Sequence, residues 1–251
     1  PVSGTRLGDC KGNSGITFGA GVNKYWVIVS GTNWNSALAP WDTSSGGTGS
    51  INAFPLAQDT VIFQSSVPSS GSTVTVNANY NIGTIDMSAR TSNTMTLATG
   101  TTTPAIYGNW INGTGTTLTG TGTLTFAGRS SQIITSAGKS FSSNVTIDSP
   151  NGSVTLQDAI ALSTLIFRLN SGTFSTGNYA MSAPALQILT TAAKTFDLGS
   201  STLTLTTNGT VWSYSGTAPT ISGTGTISLT NASAKIFAGG GLSYTNTVSY
   251  T

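Results

Sequence analysis

Seven aspartates carry all the acid chemistry open to this chain: Asp9, Asp42, Asp59, Asp86, Asp148, Asp158 and Asp197. The 251 residues contain no Glu, no His and a single cysteine, Cys10. A Ser-His-Asp triad, a Cys-His dyad or a histidine-based metal site therefore cannot be assembled within it. What remains is carboxylate chemistry, in which paired acids, or an acid beside Arg or Lys, cleave polysaccharides. The spacing speaks against it. Asp148 and Asp158 stand ten residues apart, which predicts that they lie on different faces. Asp86 and Arg90 are close in sequence, and such a pair reads as a surface contact worth about 0–1 kcal/mol. The expectation is a protein that is not an enzyme, with no catalytic residue, no metal ligand and no cofactor.

Other motifs read as turns. Gly138-Lys139-Ser140 is the tail of a phosphate-binding loop, but its leading glycine would fall at Ile133 and no helix is expected after it. Gly239-Gly240-Gly241 lacks the spacing of a dinucleotide fingerprint, and the calcium-binding nonapeptide of β-rolls is absent. The Asn-x-Ser/Thr triplets at Asn112, Asn144, Asn151, Asn208 and Asn231 are what chance gives in so Asn- and Thr-rich a chain. Aromatic rings stack on sugars, which makes Trp26, Trp34 and Trp41 candidate glycan-stacking residues, with Trp110 and Trp212 further along. The competing reading, which we favour, is that they fill a cap and plug the ends of coils.

The elements that would position these groups are all of one kind. Thr (45), Ser (35), Gly (31) and Asn (18) make up about half of the chain, while only 16 residues are charged and the net charge is +2. That balance excludes helical bundles and coiled coils, and leaves no basic stripe for nucleic acid. Disorder is opposed by an apolar content of 37% arranged with a regular beat. From about residue 72 short runs alternate an apolar residue with Thr or Ser, as in Thr73-Val74-Thr75-Val76, Thr123-Leu124-Thr125-Phe126 and Leu203-Thr204-Leu205. This is the period-2 signature of half-buried strands, punctuated by Gly, Asn, Ser and Pro. No stretch is long and apolar enough to span a membrane.

Residues 118–147 and 221–250 align without a gap at an offset of 103, with nine identities that include Gly120/Gly223, Ile133/Ile236 and Val145/Val248. Strand-like beats recur mostly every 20 to 24 residues, so the offset reads as about five coils of a parallel β-solenoid. Ile133 and Ile236 are then expected at equivalent inward positions. Stacking supplies both the hydrogen bonds and the core of such a fold, and stacked Thr and Asn are expected to form ladders along its axis. An antiparallel sandwich is the alternative. Residues 1–70, which hold three of the five Trp and Cys10, read as an N-terminal cap or attachment segment, and residues 71–251 as the solenoid. The fold class expected is all-β with essentially no helix. Cys10 reads as a buried free thiol, with a contact between chains as the alternative.

The ordered features Trp26, Asn33-Trp34-Asn35, Trp41, the glycine-serine loop 44–50, Pro55 and Asp59-Thr60-Val61-Ile62-Phe63 lead into a Thr-Val-Thr-Val strand. After them come Gly120-Thr121-Gly122-Thr123-Leu124-Thr125-Phe126, Asn144-Val145-Thr146-Ile147, Ser171-Gly172-Thr173-Phe174 and Phe237-Ala238-Gly239-Gly240-Gly241. This combination resembles the Thr/Gly-rich β-helical repeat proteins of tailed bacteriophages, tail fibre and other virion structural proteins, and more distantly autotransporter-like bacterial surface proteins. The resemblance implies a structural fibre, spike or decoration on the virion surface, in contact with other virion proteins, with copies of itself as a homotrimer or other homo-oligomer, and with host surface polysaccharide. A bacterial surface adhesin is the second reading and a polysaccharide-degrading enzyme the third. The resemblance supplies no catalytic residues.

No signal peptide is visible, and the chain opens on Pro1 without an initiating Met, as a processed chain or a fragment would. The second repeat copy stops at Tyr250 without a polar terminal coil. The last coil, with Leu242, Tyr244, Val248 and Tyr250, is therefore expected to be covered by further sequence or by neighbouring subunits.

Overall fold

The computed structural model describes residues 7–231, 233–240, 242 and 246–250. The chain is all-β: a parallel β-solenoid of about 8 turns, in which the one helical element among the described residues is a 3-10 turn, Ile51–Ala53. Each full coil contributes three short strands, and each strand pairs in parallel with its counterpart one coil on.

The first face runs from Asn23–Trp26 through Thr60–Ile62, Thr84–Asp86, Trp110–Ile111 and Ser131–Thr135 to Lys194–Asp197 and Thr220–Ser222. The second runs through Ser72–Thr75, Met95–Gly100 and Thr116–Gly120, and resumes at Ser140–Phe141 to end at Thr226–Leu229 and Thr247–Tyr250. The third begins at Asn81–Ile82 and Ala105–Ile106 and ends at Gly209–Tyr214 and Lys235–Ala238. The long strands Asn144–Leu156 and Phe167–Ser175 turn the corner from third face to first without leaving the ladder.

Alternation explains why these sequences form these strands. The apolar member of each pair points inward and stacks on its counterpart: Val61, Ile85, Trp110, Ile134 and Leu156 on the first face are all buried and in register. Thr and Ser take the outward positions, where their branched or small side chains suit a pleated surface. On the second face the outward ladder reads Ala161, Ser182, Thr204, Ser228, Ser249, with no charge in it. Like charges stacked at the strand spacing of about 4.8 Å would repel.

Asparagine acts differently from the expected ladder of like side chains. Its carboxamide oxygen accepts a backbone N–H of the next coil, as Asn79 does from Thr103 (2.7 Å), Asn109 from Ile133 (3.0 Å), Asn144 from Ile166 (2.9 Å) and Asn178 from Ser200 (2.9 Å). The side chain thus satisfies backbone donors at corners, where the strand ladder is interrupted.

The repeat needs correction. Leu124, Val145, Phe167, Leu186 and Trp212 stand one coil apart on the third face, at steps of 21, 22, 19 and 26 residues. Ile227, the partner of Leu124 at the offset of 103, lies on the second face, two faces beyond Trp212. The offset is therefore four coils and two faces, not five coils. Ile133 and Ile236 likewise sit on different faces, and neither points inward: Ile133 is half-buried and Ile236 is 55% exposed. Their neighbours Ile134 and Phe237 face the core. Every face repeats the same strand-and-turn pattern, so the alignment matched faces rather than coils.

The ladder also crosses residue 70 without a break. Asn23–Trp26 pairs in parallel with Thr60–Ile62, which pairs with Thr84–Asp86, and one hydrophobic cluster extends from Trp26 to Leu229. Ahead of the strands of the second face, Asn33 forms an isolated parallel bridge with Thr75, with Trp34 N–H donating to Thr75 O (2.7 Å) and Thr75 N–H to Thr32 O (3.0 Å). The capping element itself is small. Trp41–Asp42 lies antiparallel against Asn23–Trp26 and covers the edge of the first face. At the other end, Val248 and Leu242 are half-buried, while Gly241, Tyr244 and the side chain of Tyr250 lie outside the described residues.

Candidate functional site

The three candidate sugar-stacking tryptophans are inside the protein. Trp26, Trp34 and Trp41 are 0%, 0% and 1% exposed and pack with Phe63, at ring centroid distances of 5.1 Å for Trp26–Trp41 and 4.7 Å for Trp34–Trp41. Trp26 Nε1 donates to Ile28 O (2.9 Å) and Trp41 Nε1 to Trp34 O (2.8 Å). None offers a ring face to a ligand; they plug the first coil. Trp110 and Trp212 are buried further along, and Trp110 Nε1 donates to the buried Asn112 Oδ1 (2.9 Å). The turn at Gly138-Lys139-Ser140 closes with Lys139 N–H on Ser136 O (3.0 Å) and leads into a strand.

All seven carboxylates are engaged in local hydrogen bonds. Asp158 accepts the N–H groups of Ser136 and Ala137 (2.6 and 2.7 Å), Asp59 those of Val22 and Leu56 (3.0 and 2.9 Å), and Asp42 those of Ser44 and Gly49 (2.9 and 3.1 Å). Asp9 accepts from Lys11 N–H (2.8 Å), Asp86 from Ser88 Oγ (2.6 Å) and Asp148 from Ser171 Oγ (2.6 Å). The expected surface contact between Asp86 and Arg90 does not form, because Arg90 is 0% exposed and turned into the protein. Among the described residues no group of three or more His, Cys, Asp or Glu side chains could hold a metal ion.

Asp197 sits on the first face between two hydroxyls. Burial pushes its carboxyl up, but Ser175 Oγ (2.9 Å), Ser222 Oγ (3.0 Å) and Gly199 N–H (3.2 Å) outweigh burial and hold it below the usual carboxylate value. A carboxylate depressed by folding stabilises the protein above its unfolded value of about 3.9, and that contribution is lost as pH falls through the folded value. Asp197→Asn is therefore expected to melt below the parent at neutral pH, with the gap closing below about pH 4. Thermal melts across that range check it, and a gap that stays constant would rule out the charge as its cause.

Cys10 forms no disulfide and is half-buried rather than buried. It lies beside Tyr107, whose hydroxyl is pushed up to about 12 by burial first and by the thiol second. The adjoining arm is held to the solenoid by Gln58, whose Oε1 accepts from Asp9 N–H (2.8 Å) and whose Nε2 donates to Leu7 O (3.1 Å).

Where that arm meets the first coil there is a cavity of about 240 Å³, walled by Leu7, Val22, Phe54 and Leu56 and carrying Lys24, Asn52, Gln58 and Asp59 in its lining. Lys24 enters it by strand alternation. Trp26 points inward, so Lys24, two residues earlier, takes the preceding inward position in register with Val61. It is 8% exposed. The other buried lysine, Lys194, gives its ammonium to Thr190 O (2.7 Å) and Thr217 O (3.2 Å), and burial lowers its pKa. The charge of Lys24 adds to the backbone N–H of Ser44 in holding the Asp42 carboxyl below its usual value.

Compared with protein-family models, with curated proteins and with solved structures, the chain matches none.

Proposed function

We propose that the chain is a structural component of a tailed bacteriophage particle, a fibre, spike or decoration on its outside that contacts host surface glycans and assembles with copies of itself. The observation that carries this reading is how the acids are used. All seven aspartates accept hydrogen bonds that hold turns, corners or neighbouring coils, which supports a structural use of the acids over a catalytic one. The uncharged outward ladder of the second face and the continuous parallel register also suit a rigid, inert rod.

Particles purified by density gradient should contain the chain by mass spectrometry, and antibodies against it should label their exterior. The isolated chain should scatter light as a multiple of 25.4 kDa, a trimer being the expected state. Host polysaccharide incubated with it should release no reducing ends. Detection in the envelope of uninfected bacteria would favour a surface adhesin, and release of reducing sugar would favour an enzyme.

A further inference from the structure

We propose that Asn151 is a self-modification site, which deamidates spontaneously to aspartate and isoaspartate. The chemistry is that of an Asn-Gly pair. The deprotonated backbone nitrogen of Gly152 attacks Asn151 Cγ, the new C–N bond closes a cyclic succinimide, and the amide nitrogen leaves as ammonia. Water then opens the ring at either carbonyl, so that amide and water become acid and ammonia. Glycine favours the attack because no Cβ shields its nitrogen. The chain has three such pairs, at Asn112, Asn151 and Asn208, and the fold treats them differently. Asn112 is 2% exposed, its Oδ1 accepts from Trp110 Nε1 (2.9 Å) and its Nδ2 donates to Ser136 O (3.1 Å). Asn208 is exposed, but the Gly209 N–H that must lose its proton donates to Ala234 O (2.9 Å), and Gly209 is in register with Lys235. Asn151 has neither restraint. It is exposed, and its carboxamide makes no hydrogen bond among the described residues, unlike the corner asparagines that hold the next coil. Gly152 falls between the ladder positions of the long strand, with no register partner on either neighbouring coil. Asn151 itself sits at φ +61°, in the left-handed region, where strand geometry is broken. The acid so formed joins Lys194 in the lining of a cavity of about 230 Å³ that contains no other carboxylate. The reaction needs no partner, and the virion reading stands whether or not it occurs.

Ageing of the folded 251-residue chain in mildly alkaline buffer tests it, with peptide mapping by mass spectrometry and isoaspartate resolved by chromatography. Conversion at Asn151 should run at least about tenfold ahead of that at Asn112 and Asn208, because local order protects those two sites. In the same chain unfolded by urea the three rates should draw within roughly threefold of one another, since the fold alone separates them. A more acidic form should accumulate on ion exchange in the parent and be largely absent from Asn151→Gly, which keeps a positive φ without strain. Should Asn151→Gly fail to fold, the mapping of the parent decides alone. No conversion at Asn151, conversion led by Asn112 or Asn208, a lead at Asn151 that persists unchanged in urea, or an acidic form made at the parent's rate by folded Asn151→Gly would each overturn the proposal.

Discussion

Ile134→Asp should unfold the middle of the solenoid, whereas Ile133→Asp, one residue earlier, should be tolerated. Ile134 is 0% exposed and stacked in register between Trp110 and Leu156. A carboxylate there has no cation to meet, since the inward ladder above and below it is apolar, and a buried unpaired charge costs several kcal/mol. Deleting the Ile side chain from a close-packed stack adds a cavity term, so a total of about 4–6 kcal/mol is expected. Ile133 points the other way, into the outward ladder with Thr155, where a change of surface side chain is usually worth about 0.5 kcal/mol or less. Stability in a solenoid is a sum of coil and interface terms, so the damage from Ile134→Asp should begin locally. Limited proteolysis should cut first within the coils around residues 110–156, before global melting. Equal melting temperatures for the two variants would mean that the first face does not alternate as described.

The same pair of isoleucines marks the limit of what the sequence disclosed. The strands were legible because Thr and Ser alternate with apolar residues over and over, and the coil length because turn residues recur at nearly constant spacing. Which residues shared a face was not legible. Each coil carries three strands of similar length and pattern, so a match after two faces looks like a match after three. The tryptophans of the first coil were legible as a plug because no other segment concentrates so much apolar bulk. Lys24 was hidden for a different reason: a lysine reads as surface unless its strand is already oriented. The signal lay in Lys24-Tyr25-Trp26, where an inward Trp26 commits Lys24 to the same side. For Arg90, set in a turn between Ala89 and Thr91, no periodicity exists to give it away.

Arg90→Met is the second large expected loss. The guanidinium is buried without a carboxylate partner, and it works instead as a hub for backbone carbonyls. Nη1 donates to Gln64 O (3.0 Å), Ser65 O (3.1 Å) and Pro68 O (2.8 Å), and Nη2 to Thr94 O (2.9 Å). Burial lowers its pKa, yet an arginine so placed stays charged because its ordinary value is above 12. The chain around residues 64–68 and the turn at 90–94 are thereby tied to one side chain, where regular ladder bonds are missing. Methionine keeps the apolar stem but leaves these acceptors unmet, at about 1–3 kcal/mol for each that stays buried. Some will find water, so a net loss of roughly 3–5 kcal/mol is expected, which for a chain of this size lowers the melting temperature by about 10 °C. Arg90→Lys should recover only a minor part. Its ammonium is a compact point donor that cannot reach both Thr94 and the 64–68 segment, which the planar fork spans. Melting of the two variants beside the parent, with proteolytic sensitivity mapped to residues 64–68, decides the matter. Full recovery by lysine would mean that charge alone, and not the geometry of the fork, holds these segments together.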